Sequence, residues 1–132
     1  MESALSHWPV QIKLVPPQAP FLQNSDLLVT ADCVPVAYAN YHSDFLQGKI
    51  ALLGCPKFDD ADEYLDKFVD IFKQADINSV TIMYMQVPCC SGLPGIVEKA
   101  KDLAGADLDI NHVLISIKGE LMESPLILRS TK

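Results

Sequence analysis

Four cysteines are the residues in this chain best suited to chemistry: Cys33, Cys55 and the adjacent pair Cys89-Cys90. Cys33 and Cys55 are separated by 21 residues and Cys55 and Cys89 by 33. Such gaps are too long for a local metal knuckle and match whole strand–helix units, so only the tertiary fold can gather the sulfurs. Four thiols gathered in one place can hold an iron–sulfur cluster or a Cys₄ zinc ion, or they can run a thiol–disulfide couple. Adjacent cysteines suit zinc less, because structural zinc sites usually use C-x₂-C pairs that wrap the ion. In the dithiol reading, Cys89 or Cys90 attacks and Cys33 or Cys55 resolves. Inert burial as small hydrophobes is the plain alternative.

Each thiol group follows an apolar run. Leu27–Ala31, Ile50–Leu53 and Val80–Met85 read as buried parallel strands, and Cys33, Cys55 and Cys89-Cys90 follow them in that order. Helical signals come next. A helix is expected over residues 35–46, with Pro35 at its start and Gly48 beyond its end. A second runs from about 61 to 75, with Asp59 or Asp60 as cap and an apolar stripe of Tyr64, Leu65, Phe68 and Phe72. A third spans 93–104, capped by Ser91 and ended by Gly105. Val10–Val15 alternates with period two and reads as a first edge strand, Asn111–Ile117 reads as the last strand, and residues 120–132 read as a tail in which Leu126-Ile127-Leu128 could pair at an edge. Strands alternating with helices predict an α/β three-layer sandwich with a mostly parallel sheet of about five strands, flavodoxin-like or Rossmann-like. In open sheets of this kind ligands bind beyond the carboxyl ends of the strands, and all four sulfurs are expected on that rim. Three helix N-termini are expected to face it and to favour thiolate.

At 132 residues, the chain reads as one domain. Hydrophobic content of 49% with 20% charged residues describes a packed protein, and a net charge of −7 argues against nucleic acid and anionic membranes as partners. No apolar run spans a bilayer and the first residues show no signal peptide, so the chain reads as cytoplasmic, where thiols stay reduced. Among other residues, Lys57 could offset charge near Cys55, Asp32 reads as a turn residue, and His7, His42 and His112 read as structural. Met83 and Met85 read as core. The glycine-bearing helix start Ser91–Gly95 is a weak phosphate signal.

Trp8-Pro9-Val10-Gln11, Ala31-Asp32-Cys33, Ala37-Tyr38-Ala39, Gly54-Cys55-Pro56-Lys57 and Val87-Pro88-Cys89-Cys90-Ser91-Gly92-Leu93 together cover a segment that resembles the C-terminal domain of the anaerobe 4Fe-4S ferredoxin family. The resemblance extends over about residues 5–120. It implies a 4Fe-4S cluster held by Cys33, Cys55, Cys89 and Cys90, with electron transfer to a redox partner protein; separately from the resemblance, a homodimer is a compatible assembly. Members of that family carry an N-terminal ferredoxin module, whereas this sequence has no C-x₂-C-x₂-C-x₃-C run. The usual ferredoxin clusters therefore cannot form here, and the chain is expected to be a stand-alone version or a fragment.

Overall fold

A computed structural model describes residues 2–57, 59–87 and 92–122. Five strands form one sheet: β1 (Ser25–Ala31), β2 (Ile50–Gly54), β3 (Ile77–Met85), β4 (Ile110–Ile115) and β5 (Leu121–Met122). Their order is β2-β1-β3-β4-β5, parallel throughout except for β5, which runs antiparallel to β4. The chain steps from β1 outward to β2 and then back across to β3, so the order reverses between β1 and β3. This is the crevice where open α/β sheets bind ligands.

Three helices connect the parallel strands: α1 (Val34–Ala37), α2 (Ala61–Gln74) and α3 (Leu93–Ala104). Asp60 caps α2 by accepting from the Asp62 N–H at 2.9 Å, and Asp62 and Glu63 complement the positive end of its dipole. Gly105 ends α3 in the left-handed conformation (φ 67°). α2 and α3 pack on each other, and right-handed crossovers place them on one face of the sheet and the β1–β2 connection on the other. The strands are buried on both sides: Leu27, Leu28, Val29, Val80, Ile82 and Met83 are fully enclosed. No helix among the described residues is long and apolar enough to cross a membrane.

Three elements depart from the sequence expectation. Val10–Val15 is not a strand. It makes one parallel rung, with the Ile12 N–H donating to Leu53 O (2.8 Å) and the Leu53 N–H to Val10 O (2.7 Å), and then turns back so that the Leu14 and Val15 N–H groups both reach Gln11 O. Period two would put Val10, Ile12 and Leu14 on one face. Instead Ile12 and Val15 are buried while Leu14 is 65% exposed, because Pro16 and Pro17 cannot donate to a ladder.

The helix expected over 35–46 stops at Ala37, where Tyr38 turns extended (φ −99°, ψ 108°), and a wide helical turn follows over His42–Leu46. Two tyrosines break it. The Tyr38 hydroxyl donates to Asp44 at 2.6 Å, and Tyr41 plunges into the core to share a 2.8 Å hydrogen bond with Thr30.

The fifth strand comes from the stretch read as a tail. Ser116 organises the turn, its Oγ accepting from the Lys118 and Glu120 N–H groups, and Gly119 adopts φ 83° where a Cβ would overlap Ala37 O. Leu126-Ile127-Leu128 lie outside the described residues.

Candidate functional site

The carboxyl rim is built by the ends of β2, β1 and β3, which are neighbours in the sheet. Ala31 and Gly54 are register partners at the ends of β1 and β2, and adjacent strands lie about 4.8 Å apart. Cys33 follows Ala31 by two residues and Cys55 follows Gly54 directly, so both thiols belong to the same rim on adjacent strands. The Asp32 N–H donates to Gly54 O at 3.2 Å and ties the two turns together. β3 lies on the other side of β1, ends at the same rim, and leads towards α3. Cys89, Cys90 and Ser91 lie outside the described residues, as does Pro88.

The two described thiols differ. Cys33 is exposed and sits at the N-cap of α1. Cys55 is buried, at 4% exposure. Both are free. The three-dipole expectation is reduced by the break after Ala37, since α1 has only four residues and a short helix has little dipole to offer. α2 and α3, with 14 and 12 residues, keep theirs.

A polar cluster that the sequence reading missed lies against Cys55. The Cys55 N–H donates to Tyr64 Oη at 3.0 Å, and that hydroxyl donates in turn to the Asp59 carboxylate. Lys13 Nζ reaches Asp59 Oδ1 at 3.4 Å, and the Asp59 N–H donates back to Cys55 O at 3.1 Å. Hydrogen bonding from Tyr64 holds the Asp59 carboxyl below its ordinary range against some desolvation, with Lys13 assisting. Burial pushes the Tyr64 hydroxyl far above its ordinary value, and the bond to Asp59 adds to this. Asp32 is shifted upward by partial desolvation, opposed by a hydrogen bond from Gln11 and helped by the charge of Asp59. The signal available in the sequence was Tyr64 itself. It falls on the apolar stripe of α2, and a buried tyrosine needs a partner for its hydroxyl.

The remaining candidates lie apart from this cluster or face solvent. Lys57 is exposed. His42 is exposed and its Nδ1 accepts the Ala4 N–H at 3.0 Å. His7 Nε2 lies 2.9 Å from Ala51 O. His112 is buried mid-strand in β4, with Nε2 2.8 Å from Glu98 on α3. Met83 and Met85 are core residues. The glycine-bearing start of α3 lines a groove of about 260 Å³ with Ala61, Leu65 and Lys99. Among the described residues, no three Cys, His, Asp or Glu side chains are grouped so as to hold a metal; two of the four candidate sulfurs fall outside that set.

A family profile described as a Rossmann-like domain matches residues 19–131 of the chain. A protein of Archaeoglobus fulgidus, itself uncharacterized, is 30% identical over 115 residues, which cover 87% of this chain and 81% of that protein. No solved structure matches.

Proposed function

The chain belongs to the Rossmann-like domain family, and from that premise we propose that its carboxyl rim is a thiolate site for a 4Fe-4S cluster, making the protein an electron-transfer module that works with a redox partner protein. The observation that carries this reading is the placement of Cys33 and Cys55 at one rim of neighbouring strands, beside the strand whose continuation bears Cys89 and Cys90. The chemistry of the donor set fits, since four thiolates are the usual protein ligands of such a cluster. The resemblance of the cysteine-bearing segments to the 4Fe-4S ferredoxin family supports the same choice. When bound, a cluster of this kind stores and passes single electrons.

The protein's own residues supply the setting. Cys55 is sealed from water and its backbone is fixed by Tyr64 and Asp59. Cys33 is exposed, on the side open to a partner. Lys13 balances Asp59, and Lys57 stands two residues from Cys55 to offset the charge of the thiolates.

The test is anaerobic purification or reconstitution with iron and sulfide, followed by the visible spectrum. A broad visible absorption band, lost in Cys33→Ser, Cys55→Ser and Cys89→Ser, is the expected result. A colourless protein carrying zinc would replace the cluster by a structural metal. A colourless, metal-free protein with a reversible dithiol would replace it by a thiol–disulfide couple, for which the exposure of Cys33 is the supporting observation.

A further inference from the structure

We propose that Tyr64 and Asp59 are positioning residues of the Cys55 thiol, holding it as a preformed and sealed ligand rather than merely filling space beneath β2. The inference rests on the reading of Cys55 as one of the rim's working thiols, but it can be tested without metal.

Both backbone polar groups of Cys55 are taken up by this one unit. Its N–H goes to Tyr64 Oη at 3.0 Å, and its carbonyl accepts the Asp59 N–H at 3.1 Å. Tyr64 closes the ring by donating to the Asp59 carboxylate. Tyr64 enters from the first turn of α2 and is 1% exposed. It can reach this point only because residue 54 has no side chain: a Cβ there would overlap Tyr64 Oη and stand 2.7 Å from Tyr64 Cζ. Lys13 holds the outer oxygen of Asp59 at 3.4 Å, and Lys13 is itself anchored, its carbonyl accepting from Lys67 Nζ at 3.2 Å. Strand end, loop, helix and N-terminal turn thus converge on a single cysteine. A cysteine whose backbone is fixed and whose side chain is buried in this way has less freedom to lose when it ligates a metal or exchanges with a disulfide, which is the benefit of a preorganised ligand.

The experiment is alkylation of the reduced, metal-free full chain by iodoacetamide, read peptide by peptide by mass spectrometry, with exposed Cys33 as the internal reference. A buried thiol reacts only through local opening, so the Cys55:Cys33 rate ratio reports how firmly Cys55 is held. Tyr64→Phe and Asp59→Ala are each expected to raise the ratio about tenfold. Asp59→Asn keeps an acceptor for Tyr64 and should stay within about threefold of wild type. The double variant Tyr64→Phe/Asp59→Ala should be no more reactive than Tyr64→Phe, because both keep the Asp59 backbone N–H on Cys55 O and the Asp59 side chain acts on Cys55 through the Tyr64 hydroxyl. Ile71→Val perturbs the buried face of the same helix, lowers Tm, and should leave the ratio unchanged. An unchanged ratio in Tyr64→Phe, equal effects of Ile71→Val and Tyr64→Phe, or additive effects in the double variant would each overturn the proposal. If the wild-type chain binds no iron, the cluster reading falls while the alkylation ratios still decide the role of Tyr64 and Asp59.

Discussion

Replacing Gly54 by alanine probes the packing on which the Cys55 turn depends. Gly54 is the last residue of β2, and its need for glycine comes from a close approach. An added Cβ would overlap Tyr64 Oη and come to 2.8 Å from Ile12 Cδ1. Neither neighbour can step aside into solvent, since Tyr64 and Ile12 are each 1% exposed. Overpacking of this kind costs about 1–3 kcal/mol, and displacing the hydroxyl from Cys55 and Asp59 costs about 1 kcal/mol more, for a total of about 2–4 kcal/mol. For a chain of this size that is a fall in Tm of roughly 8–15 °C. Differential scanning calorimetry on the reduced protein measures it. Gly95→Ala is the control: a Cβ there meets nothing within 4 Å, it lies inside α3, and removing a helix glycine should stabilise by about 0.5–1 kcal/mol. A Gly54→Ala protein with unchanged Tm would refute the packing of Tyr64 beneath the Cys55 turn.

Two further outcomes follow from named contacts. Thr30→Val removes the partner of the buried Tyr41 hydroxyl, whose bond is 2.8 Å long, and should cost about 1–2 kcal/mol in urea unfolding; an unchanged midpoint would contradict that bond. Asp59 has a carboxyl held below its ordinary value of 3.8, chiefly by the hydrogen bond from Tyr64. The stability its ionised form contributes is therefore complete above that ordinary value and is lost as pH falls through the lower folded-state value. The stability gap between wild type and Asp59→Asn, measured by urea titration, should be steady at neutral pH and shrink in the acid limb; a gap that persists well below 3.8 would count against the Tyr64–Asp59 bond.

What could be read from the sequence followed the strength of local signals. The runs Leu27–Ala31, Ile50–Leu53 and Val80–Met85 became strands because continuous apolar stretches between helices have few other places to go. α2 carried a cap and an apolar stripe that agreed with each other, α3 carried a stripe and the terminating Gly105, and the ends of both fell within a residue or two of expectation. The cap expected at Ser91 lies outside the described residues, and the N-cap of α3 is Gly92. Failure came where tertiary contacts outweighed local pattern. Val10–Val15 alternates, but a single rung on Leu53 is all the sheet edge accepts before the prolines. Residues 35–46 have helix-compatible spacing, yet the partners of Tyr38 and Tyr41 draw the chain out of the helix. Leu121–Met122 is too short for a periodic signal; Gly119 in the preceding turn was its only marker. At the rim, the placement of Cys33 and Cys55 followed from topology, because successive parallel strands end on one edge. The Tyr64–Asp59–Lys13 cluster was not legible, since it joins a helix face, a loop and an N-terminal turn that no spacing rule connects.

The most direct measurement is the iron and acid-labile sulfide content of the anaerobically purified full chain, taken for wild type and for Cys33→Ser. About four iron and four sulfide per chain in the wild type, with a sharp loss in the variant, is the expected result. Wild-type protein that takes up neither iron nor sulfide under reducing, oxygen-free conditions would contradict the proposed cluster site.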